Sequence, residues 1–414
     1  MIDRAVILST GDELTTGRVV DTNSAVIADQ LSSIGVEVIA ILKIGDDRQK
    51  LLWALGHARD LGDLVVGTGG LGPTVDDLTA GAVAQFLGTK VELNERVLES
   101  LKARSEARGF PWTENNRKQA MFPEGSTIIS NPVGSAPGFR AKIAQGRTLI
   151  WLPGVPQEMT AMLHKTVIPW IVQERGAAQQ VLACTFKIYG LTESKLDDIF
   201  KSVELGSQAK LSFRANYPDL SLRLVVRGGG ERETIFARLR TQMRDLLGAY
   251  VYGEGDVSLE EVVGQLLLAK KQTLALAESC TGGYISHRIT RVAGSSAYYL
   301  AGAVTYSNEA KIRFLGVQAS TLEKHGAVSK ETALEMSQGV REKTGAGISL
   351  SVTGVAGPGG GSPEKPVGTV WISVAKEDLH EARLFQFHGP RERIISGTSQ
   401  AALNWLRTLL DSRL

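Results

Sequence analysis

The chain has 414 residues, of which 43% are hydrophobic and 22% charged, and its formal net charge is +2. Two or three domains are expected at that length, and the balance is the ordinary one for a globular protein in water. It excludes a strongly basic nucleic-acid binder, and with only Cys184 and Cys280 present it excludes a disulfide framework or a cysteine-based zinc site.

At the start of the chain, Ala5 to Leu8 reads as a buried strand rather than as a signal segment. No uncharged run approaches the ~20 residues that span a bilayer, so the expectation is a cytoplasmic protein that stays off the membrane. A strand over Ala5 to Ser9 leads into the turn Thr10-Gly11-Asp12-Glu13. Asp21-Thr22-Asn23-Ser24 caps a helix to about Ser33, Val36 to Leu42 is the next strand, and Arg48 to Leu61 the next helix. Asp63 to Val66 runs into Gly67-Thr68-Gly69-Gly70-Leu71-Gly72-Pro73-Thr74-Val75-Asp76-Asp77, followed by a helix. Strands alternating with helices predict a parallel sheet with crossover helices.

In that loop, Gly69, Gly70, Gly72 and Thr74 are candidate phosphate ligands, because glycines after a strand let the backbone approach an anion. Asp76 and Asp77 are expected in the first turn of the helix. There they either complement its dipole or hold a divalent metal beside a diphosphate, since hard cations prefer carboxylate oxygens. Further on come a charged helix (Leu101 to Pro111), the rigid loop Asn131 to Phe139, a strand over Leu149 to Leu152 and a helix to about Val172.

The stretch from Gln179 to Tyr252 changes character, with segregated strands and helices of a small α+β module and a turn at Gly228-Gly229-Gly230. Domains are therefore expected at 1–175, 176–254 and 255–414. In the last, Ser258 with Glu261 forms a capping-box pattern.

The chemistry concentrates in this third part. Thr273 to Ala277 alternates like a strand, and Ile285, Ile289 and Val292 recur at helical spacing. Ser279, Thr281, Gly282 and Gly283 thus fall at a helix N-terminus, where free N–H groups favour an anion. Ser279 could there be a nucleophile, a phosphate ligand or a helix cap. Two more turns close apolar runs: Tyr306 to Lys311 and Thr353-Gly354-Val355-Ala356-Gly357. Ligands of open α/β sheets sit outside the carboxyl ends of the strands. A serine, a lysine and a tyrosine converging there would be a nucleophile, base and proton relay. Arg391 opens the last helix, against the dipole, which suits an arginine binding an anion.

Four segments, Glu278 to Gly283, Tyr306 to Lys311, Thr353 to Pro358 and Lys365 to Val370, resemble the nicotinamide mononucleotide deamidase domain of the CinA family. Gly69 to Thr79 resembles that family's molybdopterin-binding-like domain, and the middle stretch is similar to its KH-type domain. The resemblance implies an α/β fold: an α/β/α molybdopterin-binding-like domain, a small α+β KH-type domain and an α/β deamidase domain. It implies Ser279, Tyr306 and Lys311 as the deamidase centre, Arg391 on the substrate phosphate, and Asp76 and Asp77 near a metal and a diphosphate. The implied substrates are nicotinamide mononucleotide and, for the first domain, ADP-ribose with Mg2+, Mn2+ or Co2+. No cofactor is expected for the deamidase, and a homodimer is expected. Gly11-Asp12-Glu13-Leu14-Thr15-Thr16-Gly17 departs from the family's Gly-Thr-Glu-Leu-Leu-Leu-Gly by an acid and two hydroxyls. The alternative is a deamidase fused to a catalytically silent pterin- or nucleotide-binding module. Nucleic-acid binding through the middle module is set aside, because residues 179–252 contain no Gly-x-x-Gly loop.

Overall fold

The computed structural model describes residues 2–411 apart from 108, 110, 144, 145, 177–180 and 229. The turn expected at Gly228–Gly230 therefore includes a residue, Gly229, outside the described ones. The chain forms two compact units, Met1–Leu182 with Val226–Thr234 and Ala183–Val225 with Ile235–Leu414.

The first unit is built on strands β1 (Arg4–Thr10), β2 (Glu37–Ile44) and β3 (Leu64–Thr68), a two-stranded ribbon of β4 (Val91–Leu93) and β5 (Met121–Pro123), and β6 (Thr127–Ile129), β7 (Gly138–Lys142) and β8 (Thr148–Leu152). The main sheet runs β2-β1-β3-β8-β7-β6. Its first four strands are parallel, and β7 and β6 turn antiparallel at the end. Strand alternation divides the core in two. Val6, Leu8, Val65 and Trp151 face one hydrophobic cluster, while Ala5, Ile7, Leu64, Val66 and Ile150 face another. A sheet covered on both faces needs such near-continuous apolar strands. Helix Thr22–Ser33 is capped by Asp21 and helix Arg48–Leu61 by Asp47, each carboxylate accepting a backbone N–H of the first turn. The turn expected after β1 is instead a single helical turn, Asp12–Thr15.

The second unit holds two sheets. Strands β9 (Leu182–Ile188), β10 (Ala209–Asn216), β11 (Asp219–Val226) and β12 (Val251–Glu254) are arranged β10-β11-β9-β12, with helices Glu193–Phe200 and Arg232–Leu247. Strands β13 (Leu274–Glu278), β14 (Tyr299–Val304), β15 (Ile348–Gly354), β16 (Thr369–Lys376) and β17 (Leu379–Gln386) are arranged β14-β13-β15-β16-β17. β14, β13 and β15 are parallel, so their carboxyl ends meet at one edge; β16 and β17 run antiparallel to close the sheet. The buried core of this sheet includes Tyr252 from β12, so the middle sheet and the last one share apolar packing.

Strand β15 alternates in an informative way. Ile348, Leu350 and Val352 enter the apolar core. Ser349, Ser351 and Thr353 point the other way and donate their hydroxyls to the carbonyls of Ser337, Ala333 and Ala327. Buried hydroxyls satisfied in this way cost little, and they seat the preceding helix, Lys330–Thr344, on the sheet.

Candidate active site

The carboxyl ends of β13, β14 and β15 carry three turns, and Ser279, Lys311 and Gly357 come from one each. Ser279 follows β13 and is buried, its N–H held by Val352 O at 3.0 Å. Ser307 caps the short helix Asn308–Ala310, which continues into a π-helical turn, Lys311–Leu315. That turn swings Lys311 inward to 1% exposure. Its Nζ donates to Ser279 Oγ at 3.1 Å, to Thr305 O at 2.8 Å and to Tyr306 O at 3.4 Å.

This geometry suits proton transfer. A neutral amine has two hydrogens and one lone pair, and Lys311 has two carbonyls and one hydroxyl around it. With both carbonyls accepting, the lone pair is left to the Ser279 hydroxyl. Burial pushes the Lys311 pKa below its ordinary value, which raises the share of neutral amine. Cys280, beside the serine, faces the apolar core, and burial pushes its thiol up to about 12. It is therefore no competing nucleophile, because the thiolate is the reactive form.

The helix N-terminus expected to receive an anion is already filled by one. Glu278, fully buried at the end of β13, accepts from Thr281 Oγ1, Gly283 N, Ile285 N, Ser286 N and Ser286 Oγ at 2.6–3.1 Å. The Thr281 O–H and the Gly283 N–H are thus spent on this carboxylate. Gly282 and Gly283 have φ of +60° and +94°, a left-handed path that side chains disfavour, and it wraps the chain around this carboxylate. The backbone N–H groups of Cys280 and Thr281 donate to no backbone acceptor among the described residues. Glu278 is the residue that sequence reasoning missed. Its signal was an acid ending an apolar strand with hydroxyls at the third and eighth positions beyond it.

Tyr306 and Arg391 form a second group. The Tyr306 hydroxyl, on an exposed side chain, accepts from Arg391 Nη2 at 2.9 Å rather than bonding to Ser279 or Lys311. The Tyr306 hydroxyl, expected as a proton relay, thus lies on Arg391, and what Tyr306 gives the lysine is its backbone carbonyl. Arg391 also donates from Nη1 to Gly357 O at 2.8 Å, so one guanidinium ties two of the three turns. The Thr353 hydroxyl donates to Ala327 O. Gly354 is required by packing, since a Cβ there would fall 2.7 Å from Thr369 O.

In the first unit the glycine loop is largely self-satisfied. The helix begins at Thr79, so Asp76 and Asp77 precede it instead of occupying its first turn. Asp77 accepts from Gly72 N at 2.7 Å, Thr74 N at 2.7 Å and Thr74 Oγ1 at 2.6 Å. It is a brace within the loop, and it takes Gly72 and Thr74 out of the set of free phosphate donors. Gly69 gives its N–H to Leu152 O, which leaves Gly70 with an N–H that meets no acceptor among the described residues. A pocket of about 240 Å³ opens here, lined among others by Gly70, Gly72, Asp77, Lys118, Gln119 and Phe122.

Asp76 is exposed and acts on a neighbouring acidic group. Asp12 and Asp46 exchange hydrogen bonds, each N–H donating to the other's carboxylate at 3.1 and 3.0 Å. Burial first, then the charges of Asp12, Glu13 and Asp76, raise the Asp46 carboxyl above its usual range, against the lowering effect of the Asp12 N–H. Among the described residues no three metal-ligating side chains form a group that could hold an ion alone. No helix of the described residues is long and apolar enough to cross a membrane.

Residues 256–410 match the family described as "CinA C-terminal domain", and residues 6–173 match the "Probable molybdopterin binding domain". A "CinA-like protein" of Geotalea daltonii is 43% identical over 413 residues, covering 99% of this chain and all of the relative. One of Citrifermentans bemidjiense is 42% identical over 411 residues, covering 99% of this chain and 98% of the relative. A solved "competence damage-inducible protein A (ComA)" from Klebsiella pneumoniae is 38% identical, covers 36% of this chain and 93% of its own, and has a TM-score of 0.36.

Proposed function

For a chain that belongs to the CinA family, with a molybdopterin-binding-like domain ahead of its CinA domain, we propose a bifunctional nucleotide hydrolase. Its CinA domain hydrolyses the carboxamide of nicotinamide mononucleotide to the acid and ammonia. The observation that carries this reading is the buried Lys311 Nζ at 3.1 Å from Ser279 Oγ, with two carbonyls fixing the other directions of the amine.

The neutral Lys311 removes the Ser279 proton as Oγ attacks the carboxamide carbon. The carbonyl oxygen becomes an oxyanion facing the N–H groups of Cys280 and Thr281. Collapse breaks the C–N bond, and the lysine ammonium returns its proton to the departing amide nitrogen, which leaves as ammonia. Water, deprotonated by the same lysine, then cleaves the acyl-serine and regenerates the hydroxyl. Arg391, held open by Tyr306 and Gly357, offers a planar cation to the 5′-phosphate. This chemistry draws on no metal.

The first domain, in this proposal, cleaves ADP-ribose to AMP and ribose 5-phosphate with a divalent ion. Asp76, whose charge is felt at Asp46, would hold such an ion, and Asp77 would not, because its oxygens hold the loop. Mg2+ keeps several waters and uses one or two carboxylates together with substrate phosphates, so a three-residue cage is not needed. The ion would neutralise the diphosphate; the chain's own part is to present Gly70 N–H and the pocket beside it. A second reading, a silent pterin- or nucleotide-binding module, draws support from the loop's internal bonding, which spends Gly72 and Thr74 on Asp77. Incubation of the full chain with nicotinamide mononucleotide, and separately with ADP-ribose and Mg2+, tests both activities by product identification. Absence of nicotinate mononucleotide would refute the first, and absence of AMP the second.

A further inference from the structure

We propose that Tyr217, at the tip of the β10–β11 hairpin of the middle sheet, is a positioning residue for the phosphate end of the deamidase site. This rests on the reading of Arg391 given above.

Helix Arg391–Leu410 begins at the site, and its first two turns lean on that hairpin. The guanidinium of Arg393 lies 4.2 Å from the centroid of the Tyr217 ring. One turn further, a Cβ on Gly397 would collide with the Tyr217 hydroxyl, so glycine there admits the ring against the helix. Two residues along the hairpin, the Asp219 carboxylate accepts from Gln400 Nε2. Gln400 Oε1 in turn accepts from Arg288 Nη2 at 2.7 Å, and Arg288 is also bound to Ser399 Oγ and Glu260. Arg288 sits on helix Tyr284–Thr290, the helix that follows the Ser279 loop. The hairpin therefore bears directly on the last helix and, through Gln400, on the helix that follows the Ser279 loop.

The consequence for Arg391 follows from helix geometry. Arg391 and Arg393 are two positions apart, about 200° around the axis. Arg391 consequently reaches Tyr306 and Gly357 while Arg393 lies on the hairpin side. The first turn of a helix has unsatisfied N–H groups, and two cations there oppose its dipole. The Tyr217 ring under Arg393 offsets that cost on one side and holds the turn at the angle that points Arg391 into the site. A tyrosine that merely filled space between two packed modules would affect folding but not discriminate between substrates.

The test compares Tyr217→Ala and Tyr217→Phe in the full chain. Loss of the ring is expected to raise KM for nicotinamide mononucleotide on the order of 5-fold, the scale of one cation–π contact, with kcat little changed. Turnover of nicotinamide riboside, which has no phosphate, stays at the wild-type level, and Tyr217→Phe restores the wild-type KM. Hydrogen exchange of the amides of residues 391–397 accelerates in Tyr217→Ala. Arg393→Gln, which removes the cation from over the ring and leaves the hairpin sequence unchanged, gives the same pattern. An equal loss with both substrates, or unchanged KM and unchanged exchange, overturns the proposal. If the wild-type chain releases no ammonia from nicotinamide mononucleotide, the deamidase reading fails by itself. Binding of nicotinamide mononucleotide then decides this one: weaker binding to Tyr217→Ala than to wild type supports it, and equal binding overturns it.

Discussion

Arg391 Nη2 donates to the Tyr306 hydroxyl at 2.9 Å, which makes a residue from the last helix and one from the end of β14 a single unit at the mouth of the site. The Ser279–Lys311 contact is buried and shares no hydrogen bond with this pair, so in the proposed function phosphate recognition and proton transfer fall to different residues. Arg391→Ala is therefore expected to raise KM for nicotinamide mononucleotide strongly and to leave the weak turnover of nicotinamide riboside nearly untouched. Lysine should not substitute, because it cannot make the two-pronged contact. Tyr306→Phe should shift KM in the same direction by less. The readout is the ratio of kcat/KM for the two substrates, and a ratio that stays fixed in Arg391→Ala would assign the phosphate elsewhere.

Ser279→Ala should abolish ammonia release, while Cys280→Ala should retain most of it, since the thiol is buried and held protonated. Both variants are assayed for ammonia at saturating substrate. An active serine variant beside a dead cysteine variant would reverse the assignment.

Lys311 is expected to act as a neutral base, so activity should fall as pH drops through its pKa and protonates the lone pair. Burial lowers that pKa from 10.5, which puts the acidic limb of kcat/KM below the ordinary lysine range. Lys311→Met should reduce kcat by at least ~10²-fold, the lower range for losing a general acid–base. Lys311→Arg should be equally inactive, because a guanidinium does not deprotonate. A methionine variant with normal kcat and a raised KM would make Lys311 a binding residue.

Glu278 organises the turn after Ser279 by accepting five hydrogen bonds. Glu278→Ala orphans those donors, at about 1–3 kcal/mol for a buried group left unsatisfied. Denaturant unfolding should show a loss of several such increments, with activity lost as well. Stability equal to wild type would mean that water replaces the carboxylate without cost.

In the first domain, chelation should stop ADP-ribose cleavage and spare deamidation. Asp76→Asn should raise the Mg2+ concentration needed for half-maximal cleavage. Asp77→Asn should act through the loop, lowering stability by about 1–3 kcal/mol while leaving the Mg2+ requirement alone. The two titration curves separate a ligand from a brace, and identical shifts in both would erase the distinction.

The secondary structure was legible where local rules dominate. Asp21 caps the helix beginning at Thr22, the next helix starts at Arg48 as expected, and Ser258 with Glu261 forms the capping box before Leu259. The placing of Ser279, Lys311 and Arg391 at strand or helix ends was legible too, because apolar runs mark the strands and polar turns close them. Asp77 was misread because an acid ahead of a helix looks the same whether it faces solvent, a metal or its own loop. Only the path of the backbone through Gly72 and Thr74 turns it inward.

What the amino-acid sequence determined by itself is the order of elements and the chemical types gathered at three turns, since both follow from short-range periodicity and capping. What only the tertiary structure decided is which polar group meets which. Thr281 goes to Glu278, Thr353 to Ala327, Tyr306 to Arg391, and Lys311 to Ser279 across 32 positions of chain. The reason is physical: a buried polar atom takes whatever partner packing brings within about 3 Å, and that partner is chosen by the register of strands and the seating of helices, not by its neighbours along the chain.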